Sequence, residues 1–324
     1  MTETYCGYVA LLGRPNSGKS TLLNACLGQK IVGVSSRPQT TRNRILGIDM
    51  VDARQIVFLD SPGIHNAGGK PRINHTMNKV AWSVAAEADI ICYLVDAVRG
   101  WSEEDQVYLT SLLRHSTSPV WMLVTKADAV KKEKLNGCID LVREQMASIK
   151  KDLSETEECS EKSVWFLSDE PCQVSAKRKD QLKEFRTELA SYLPEGPWLY
   201  DPENLTDKPE SFIVGELIRE NLFRRLSEEL PYGCGVRIEK IHQNRERVHV
   251  KATIIVSRES HKPMVIGKQG QGIKAIGTIS RESLERHYDK KVRLDLFVRV
   301  DEGWVNDPEL IANYQQIEDP WRFQ

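Results

Sequence analysis

The chain has 324 residues, which predicts two domains because single hydrophobic cores rarely grow beyond about 250–300 residues. Its formal net charge is −1, so no whole-molecule attraction to nucleic acid or membrane is expected, and any such attraction must be local. Seven cysteines without a C-x-x-C pair argue against a zinc site and a disulfide framework. No stretch approaches the ~18 apolar residues of a membrane-spanning helix. We therefore expect a cytoplasmic protein.

A phosphate-binding motif stands near the start of the chain. Gly13-Arg14-Pro15-Asn16-Ser17-Gly18-Lys19-Ser20 follows an apolar strand pattern and precedes a helical one that begins at Thr21. The spacing G-x-x-x-x-G-K-S points successive backbone N–H groups at phosphate oxygens. Lys19 is expected to bridge the β- and γ-phosphates, and Ser20 to place its hydroxyl on Mg²⁺.

Strand and helix patterns alternate through the first part of the chain. Strands are predicted over Tyr8–Leu12, Gln55–Asp60, Ile90–Asp96, Val120–Thr125 and Ser163–Val174. Helices are predicted over Thr21–Leu27, Arg72–Ala88, Glu103–His115, Lys134–Lys150 and Lys179–Leu193, and a solvated loop over Lys151–Lys162. This alternation predicts an α/β nucleotide-binding domain over residues 1–193, with a mostly parallel sheet and flanking helices.

Further nucleotide contacts are expected at Asp60-Ser61-Pro62-Gly63, directly after a strand pattern. Asp60 is suited to hold Mg²⁺ through water, and the Gly63 amide to contact the γ-phosphate. Between this motif and the first loop lies the polar segment Pro38–Arg42, where one threonine can complete the magnesium shell. Thr41 is favoured, and Thr40 stays open. The metal ligands are thus predicted to be Ser20, Thr41 and Asp60, with catalytic roles for Lys19 and Thr41.

Two short motifs predict the choice of base. In Thr125-Lys126-Ala127-Asp128, the Asp128 carboxylate can accept hydrogen bonds from N1–H and the exocyclic amine of guanine, whereas adenine has no N1–H. The Lys126 stem can lie on the ring face. Ser175-Ala176-Lys177, again just past a strand pattern, is expected to offer backbone N–H groups to guanine O6. The nucleotides are therefore GTP and GDP.

The pattern changes after a proline-rich stretch, residues 194–209, which predicts a linker. Beyond it, helices are predicted over Ser211–Leu230 and Ile273–Tyr288, and strands over Val236–His242, Val248–Val256 and Val292–Val300. Gly267-Lys268-Gln269-Gly270 stands between an apolar run and the last helix. This order is the outline of a smaller α+β KH domain over residues 210–300, whose G-x-x-G loop approaches the phosphates of single-stranded RNA.

The predicted RNA groove has an apolar floor and lies in a domain with a surplus of basic residues. Its floor is assigned to Val265, Ile266, Ile273 and Ile276, with Lys268 as a phosphate contact. The predicted RNA-binding residues are Ile266, Gly267, Lys268, Gln269, Gly270 and Ile273. Residues 210–300 hold 18 Lys and Arg but 12 Asp and Glu, a local surplus of positive charge. The acidic tail, residues 301–324, is expected to pack on or near this domain.

Together these motifs resemble the Era-type GTPases over nearly the whole chain. The matching segments are Gly13–Ser20, the switch threonines of Pro38–Arg42, Asp60–Gly63 and the G-x-x-G region. The resemblance implies a P-loop GTPase whose KH domain binds single-stranded RNA near the 3′ end of small-subunit ribosomal RNA, and which acts in maturation of the small ribosomal subunit. We expect a monomer that switches RNA affinity with nucleotide state. A peripheral contact with the inner membrane is an open alternative.

Several positions qualify this resemblance. Thr125 stands where the family usually has Asn, which predicts a weaker tie between the base loop and the phosphate loop, and Ser61 replaces the commoner Thr. Ile64 occupies the position where many GTPases orient the attacking water with glutamine, so intrinsic hydrolysis should be slow. The resemblance implies that the RNA or ribosomal partner raises this activity. Asn16 is either a ligand of K⁺ or a loop residue that bonds its own backbone, and both interpretations stay open.

Two other functions fit part of the sequence. One is a nucleotide-gated regulatory module at the membrane or in the cell cycle, in which hydrolysis is incidental. The other is a P-loop kinase, which is disfavoured because most such kinases have no use for a guanine pocket.

Overall fold

The computed structural model describes residues 3–34, 45–61, 81–155, 165–226 and 230–304, together with 310 and 314. It divides into two compact units, one formed by Met1–Gln29 and Thr41–Asp207 and the other by Lys30–Thr40 and Lys208–Gln324. The following predicted features lie outside the described residues: Pro38–Arg42 with Thr40 and Thr41, Pro62, Gly63, Ile64, the first part of the helix predicted from Arg72, and most of Lys151–Lys162.

The first unit is built on a six-stranded sheet. Its strands are β1 (Tyr5–Leu12), β2 (Ile45–Val51), β3 (Arg54–Asp60), β4 (Ile90–Asp96), β5 (Val120–Thr125) and β6 (Cys172–Val174), in the spatial order β2-β3-β1-β4-β5-β6. All neighbours are parallel except β2 and β3. The predicted mostly parallel α/β fold is confirmed. The parallel strands end at one edge of the sheet, where their last residues can form a site.

Two strand assignments differ from the sequence prediction. The antiparallel strand β2 was not predicted; it joins β3 through a tight turn in which Asp52 adopts a left-handed φ of 52°. The strand predicted over Ser163–Val174 is shorter in the structure, since within its described residues, 165–174, only Cys172–Val174 pairs continuously with β5. Phe166 makes just one isolated bridge, to Val120.

Helices flank this sheet and bury its apolar residues. They are α1 (Lys19–Leu27), α2 (described over 81–87), α3 (Glu103–His115), α4 (Lys132–Ser154) and α5 (Lys179–Ser191). The first turn of α3 is held by a capping box, in which the backbone N–H of Ser102 donates to Asp105 at 3.0 Å. On β5, the fully buried Trp121 stacks on Phe185 of α5, with 5.4 Å between ring centroids. These contacts fix the helices against the strands that carry the nucleotide motifs.

The proline-rich stretch predicted as a linker is, in large part, bound to the first unit. Its backbone pairs with the start of β1, since the Cys6 N–H donates to Pro194 O at 3.1 Å. Farther along, the buried Gln55 side chain accepts from the N–H groups of Leu199 (2.9 Å) and Tyr200 (3.0 Å) and donates to Tyr200 O (2.8 Å). Proline content predicted the absence of helix correctly, but not this hydrogen bonding by one buried amide.

The second unit is a three-stranded sheet covered by helices. Its elements are α6 (Glu210–Arg225), β7 (Cys234–Gln243), β8 (Arg247–Val256), α7 (His261–Ile266), α8 (Gln271–Tyr288) and β9 (Lys291–Val300). The strand order is β7-β8-β9, with β7 antiparallel and β9 parallel to β8. The predicted helix to Leu230 instead ends at Arg225, because Leu226 turns to an extended conformation and buries its side chain in the core.

The tail is described at a few positions only. Trp304 is fully buried, and it packs with Tyr314 against Ile255 of β8. Tyr314 also donates a hydrogen bond to Asp301 at 2.6 Å. No helix in the described ranges is long and apolar enough to cross a membrane.

We call residues 194–200, which Gln55 binds, the proline-rich strap. We expect Gln55→Leu to weaken the attachment of this strap to the first unit. Two backbone N–H groups lose their acceptor, which should cost about 1–3 kcal/mol of local stability. Hydrogen exchange at the Leu199 and Tyr200 amides measures this loss, with an expected acceleration of tenfold or more. Gln243→Leu, at the exposed end of β7, is the control and should change neither rate. Unaltered protection in Gln55→Leu would contradict this account of the strap.

Candidate functional site

The phosphate loop connects β1 to α1 with a backbone that few residues can adopt. Gly13 has a φ of 136°, and a Cβ at this position would meet Leu94 O at 2.6 Å. Asn16 is left-handed with a φ of 63°, and a turn is closed by the Ser17 N–H, which donates to Arg14 O at 3.2 Å. The predicted G-x-x-x-x-G-K-S segment therefore forms a compact loop at the N-terminus of α1, where backbone N–H groups and the helix dipole favour an anion.

Lys19 lies inside this loop. Its side chain is buried, and Nζ donates to Gly13 O at 2.9 Å and to Arg14 O at 2.8 Å. Burial lowers the pKa of Lys19 to about 8, and the nearby Asp60 charge offsets part of this shift. Oxygens of a triphosphate fit the same ammonium better than neutral carbonyls, because they carry negative charge.

The residues predicted for Mg²⁺ meet at the end of β3. Ser20 Oγ donates to Asp60 Oδ2 at 2.7 Å, and Asp60 is fully buried. Its second oxygen, Oδ1, has no hydrogen-bond partner among the described residues. Burial raises the pKa of Asp60 to about 6, because removal from water disfavours the charged form of the carboxyl group. A hydroxyl and a buried carboxylate are ligands that Mg²⁺ accepts, so the two residues fit this ion.

The predicted guanine ligand is already oriented. Asp128 Oδ1 accepts from the Ser175 hydroxyl at 2.6 Å, and Lys177 Nζ lies 3.2 Å from Oδ2. Ser175 also accepts from the Lys177 N–H, so Ala176 lies in a tight turn between them. The hydrogen bond from Ser175 holds the pKa of Asp128 below its usual range. The carboxylate is thus ionised and directed, as recognition of N1–H and an amine requires.

The base loop and the phosphate loop are joined by side chains of β5 and the turn after it. Thr125 Oγ1 donates to Ser17 O at 2.6 Å and lies 3.2 Å from Val95 O. Lys126 Nζ donates to Asn16 O at 2.8 Å and pairs with Asp96 at 2.7 Å. The contact between the base loop and the phosphate loop is therefore present with Thr125. A Thr hydroxyl donates one hydrogen bond, whereas an Asn amide can donate two.

Supporting residues were missed by the sequence reasoning. Asp96 ends β4, is buried and accepts from the Val98 N–H at 2.8 Å. It stands at the end of an apolar strand pattern, as Asp60 does, so the same signal could have identified it.

Arg14 was assigned to the nucleotide, but its buried side chain pairs with Asp105 of the α3 capping box at 2.8 Å. Only the Arg14 backbone is left for the phosphates, because the guanidinium holds the loop against α3.

The G-x-x-G loop of the second unit lies between α7 and α8. Gly267 has a φ of 73° and packs so closely that a Cβ would meet Gly272 N at 2.7 Å. Lys268 to Gly270 form a short 3₁₀ turn in which Gln269 has a φ of 52°. Gly270 is also left-handed, at 77°, yet open space surrounds the position of its missing Cβ. Bare backbone at this position can approach a phosphate without steric obstruction.

The apolar floor next to this loop differs in part from the prediction. Ile266 and Ile273 are half-buried, as a groove wall requires, whereas Val265 and Ile276 are fully buried in the core. These two were misassigned because helical periodicity does not tell a groove residue from a core residue. A wall that was not predicted comes from β9, whose half-buried Leu294, Leu296 and Val298 face the helices.

Comparisons with known proteins agree with this geometry. The family described as 50S ribosome-binding GTPases matches residues 8–126, and the KH domain family matches residues 229–305. GTPase Era of Leuconostoc citreum is 37% identical over 308 residues, which cover 94% of this chain and 94% of that protein.

Two solved structures of Era are similar in fold. A variant of Aquifex aeolicus Era bound to GDP·AlF4⁻ has a TM-score of 0.81, and Era in complex with MgGDPNP and nucleotides 1506–1542 of 16S ribosomal RNA has a TM-score of 0.80. Each is 31% identical to this chain and covers 97% of it, with 100% of the solved chain aligned. The P-loop kinase alternative is thereby excluded. The chain belongs to the Era family of GTPases, and it is a GTP hydrolase with a C-terminal KH domain.

Proposed function

We propose that this GTPase binds the single-stranded 3′ region of small-subunit ribosomal RNA, acts in processing and assembly of that subunit, and changes its RNA affinity with nucleotide state. The observation that supports the proposal is the presence of an oriented guanine ligand and a bare G-x-x-G loop in one chain. Further support comes from the similar Era structure, which holds MgGDPNP together with nucleotides 1506–1542 of 16S ribosomal RNA.

In this proposal the nucleotide-binding unit positions GTP through groups that are already in place. The phosphate loop binds the α- and β-phosphates, and Lys19 exchanges its carbonyl acceptors for β- and γ-oxygens. Ser20 and Asp60 would hold Mg²⁺, which when bound stabilises negative charge on the β- and γ-oxygens. Asp128, oriented by Ser175, selects guanine. Slow intrinsic turnover follows from Ile64, since an apolar side chain cannot orient water.

Five finer assignments are also proposals. Thr41 completes the magnesium shell, and the Gly63 amide contacts the γ-phosphate. Asn16, which is left-handed beside the phosphates, is the residue through which K⁺ would act. The monomer and the cytoplasm are the state and compartment we propose. A peripheral membrane contact is not carried further, because no feature of the described residues supports it.

RNA affinity in two nucleotide states tests the proposed function. A single strand from the 3′ end of small-subunit ribosomal RNA is titrated against the full chain loaded with a GTP analogue or with GDP and Mg²⁺. We expect tighter binding in the GTP state by at least about fivefold, the lower end of usual coupling between sites. Equal affinities would contradict the proposed switching, and no binding in either state would contradict the RNA assignment.

Asp128→Asn is expected to reduce the preference for GTP over ATP by about 100-fold, because charge-assisted hydrogen bonds to the guanine edge are lost. Competition of nucleotides for the purified variant measures this ratio. Asp140→Asn is the matched control: it makes the same change at an exposed position on α4 and should leave the ratio unchanged. Retained GTP selectivity in Asp128→Asn would overturn the pocket assignment.

Gly270→Asp is expected to weaken RNA binding by at least tenfold, because it places a negative side chain beside the phosphates. Gly270→Asn is the matched control, since Asn has the same shape and tolerates left-handed φ equally well. It should lose only a few fold. RNA titration of the two variants separates charge from strain, and equal affinities for Asp and Asn would argue against phosphate contact at this loop.

A further inference from the structure

The face of the second-unit sheet that points away from its helices is basic. Alternation along β8 sends Val248, Val250 and Ala252 into the core, so that the residues between them point to the other face. The parallel register then sets β9 residues beside them, for example Arg293 opposite His249 and Phe297 opposite Thr253.

Five basic side chains lie on the β8–β9 part of this face, against a single carboxylate. We call them, with Phe297, the outer basic strip: Arg247, Lys251, Lys291, Arg293, Arg299 and Phe297. The carboxylate, Asp295, is already engaged, because His249 Nε2 lies 2.7 Å away and Arg293 Nε 3.3 Å away. Lys251, Lys291 and Arg299 have no ion pair with any described residue. Glu239 of β7 adds a carboxylate beside this strip, where it accepts from Thr253 at 3.1 Å, but it is paired with Arg237 at 2.7 Å, so the strip keeps a net positive charge.

An exposed aromatic ring lies within this charge. Phe297 is 49% exposed. Lys251 Nζ lies 5.3 Å from the centroid of its ring. A ring beside flexible cations suits a nucleobase, which can stack on the ring while Lys251 moves to the adjacent phosphate. An acidic protein would match the charges and would also cover the ring, but RNA is favoured because the strip adjoins the candidate RNA groove.

The strip adjoins the candidate RNA groove through one strand. β9 is the end strand of the described sheet, and its half-buried Leu294, Leu296 and Val298 form a wall of the groove on the helix side. Phe297, on the same strand, points to the opposite face. A single strand that leaves the groove passes round the edge of β9 to reach the ring on the opposite face, a path of roughly 10 Å, the face-to-face spacing of packed sheets.

We propose that the outer basic strip is a second RNA-binding surface, where RNA continuing from the G-x-x-G groove crosses β9, stacks a base on Phe297 and places phosphates on Lys251 and its basic neighbours. This inference rests on the proposed function for the groove itself. It adds a length requirement, because only RNA longer than the groove can reach the strip.

Two RNAs of different length test the strip in the full chain. The short one has about 4–6 nucleotides, enough for the groove, and the long one extends it at both ends to about twice that length. Phe297→Leu and Lys251→Gln should each weaken the long RNA by about tenfold and change the short one less than twofold. Lys251→Gln should also lower the salt dependence of long-RNA binding by about one phosphate contact.

Two controls make the result specific. Arg286→Gln removes an equal charge from an exposed position on α8 and should affect both RNAs alike, by less than threefold. Phe297→Trp retains the stacking platform and should keep long-RNA affinity. Quenching of 2-aminopurine in the extension should be lost in Phe297→Leu and kept in Phe297→Trp.

The outcomes separate the strip from the groove. Binding of the short RNA reports on the proposed function, whereas the difference between the two RNAs reports on the strip. Unchanged long-RNA affinity in both strip variants would overturn the inference, and so would equal weakening of both RNAs. Loss of binding to the small ribosomal subunit with unchanged binding of both RNAs would also overturn it, and would assign the strip to an acidic protein.

Discussion

The nucleotide site depends on the hydrogen bond from Thr125 Oγ1 to Ser17 O. The phosphate loop contains a left-handed residue and a buried cation, both of which cost free energy when unsupported. Thr125 and Lys126 attach this loop to the turn that carries Asp128. One set of contacts therefore stabilises the loop and sets the distance between the phosphate and guanine positions. The Arg14–Asp105 pair supports the loop from the side of α3.

Parallel strands make this arrangement possible. β1, β3, β4, β5 and β6 all end at the same edge, so residues far apart in sequence meet there without long loops. Asp60 and Asp96 show two uses of the same position. The first is buried with an oxygen that has no hydrogen-bond partner within the described part of the chain and fits Mg²⁺, whereas the second accepts from a backbone N–H and from Lys126. A carboxylate at a strand end is thus either a ligand or a scaffold, depending on its hydrogen bonds.

This difference also explains what could be predicted from sequence. Motif spacing and hydrophobic patterns predicted the α/β and KH folds, which are confirmed. They also identified Lys19, Ser20, Asp60 and Asp128 as residues of one predicted nucleotide site. Local patterns could not predict that Arg14 turns to Asp105, that Gln55 binds the proline-rich strap, or that β9 lines the groove. Each depends on contacts between residues distant in sequence. The weaker tie predicted for Thr125 rested on the absence of an Asn amide, whereas in the structure its hydroxyl donates to Ser17 O at 2.6 Å.

The central claim is that one chain combines two sites. One is a guanine-nucleotide site that binds GTP but hydrolyses it slowly, and the other binds single-stranded RNA. GTP turnover by the full chain in Mg²⁺, measured with and without RNA from the 3′ end of the small-subunit ribosomal RNA, tests it most directly. The account predicts slow turnover alone and at least about tenfold faster turnover with saturating RNA. Equal rates with and without bound RNA would contradict it.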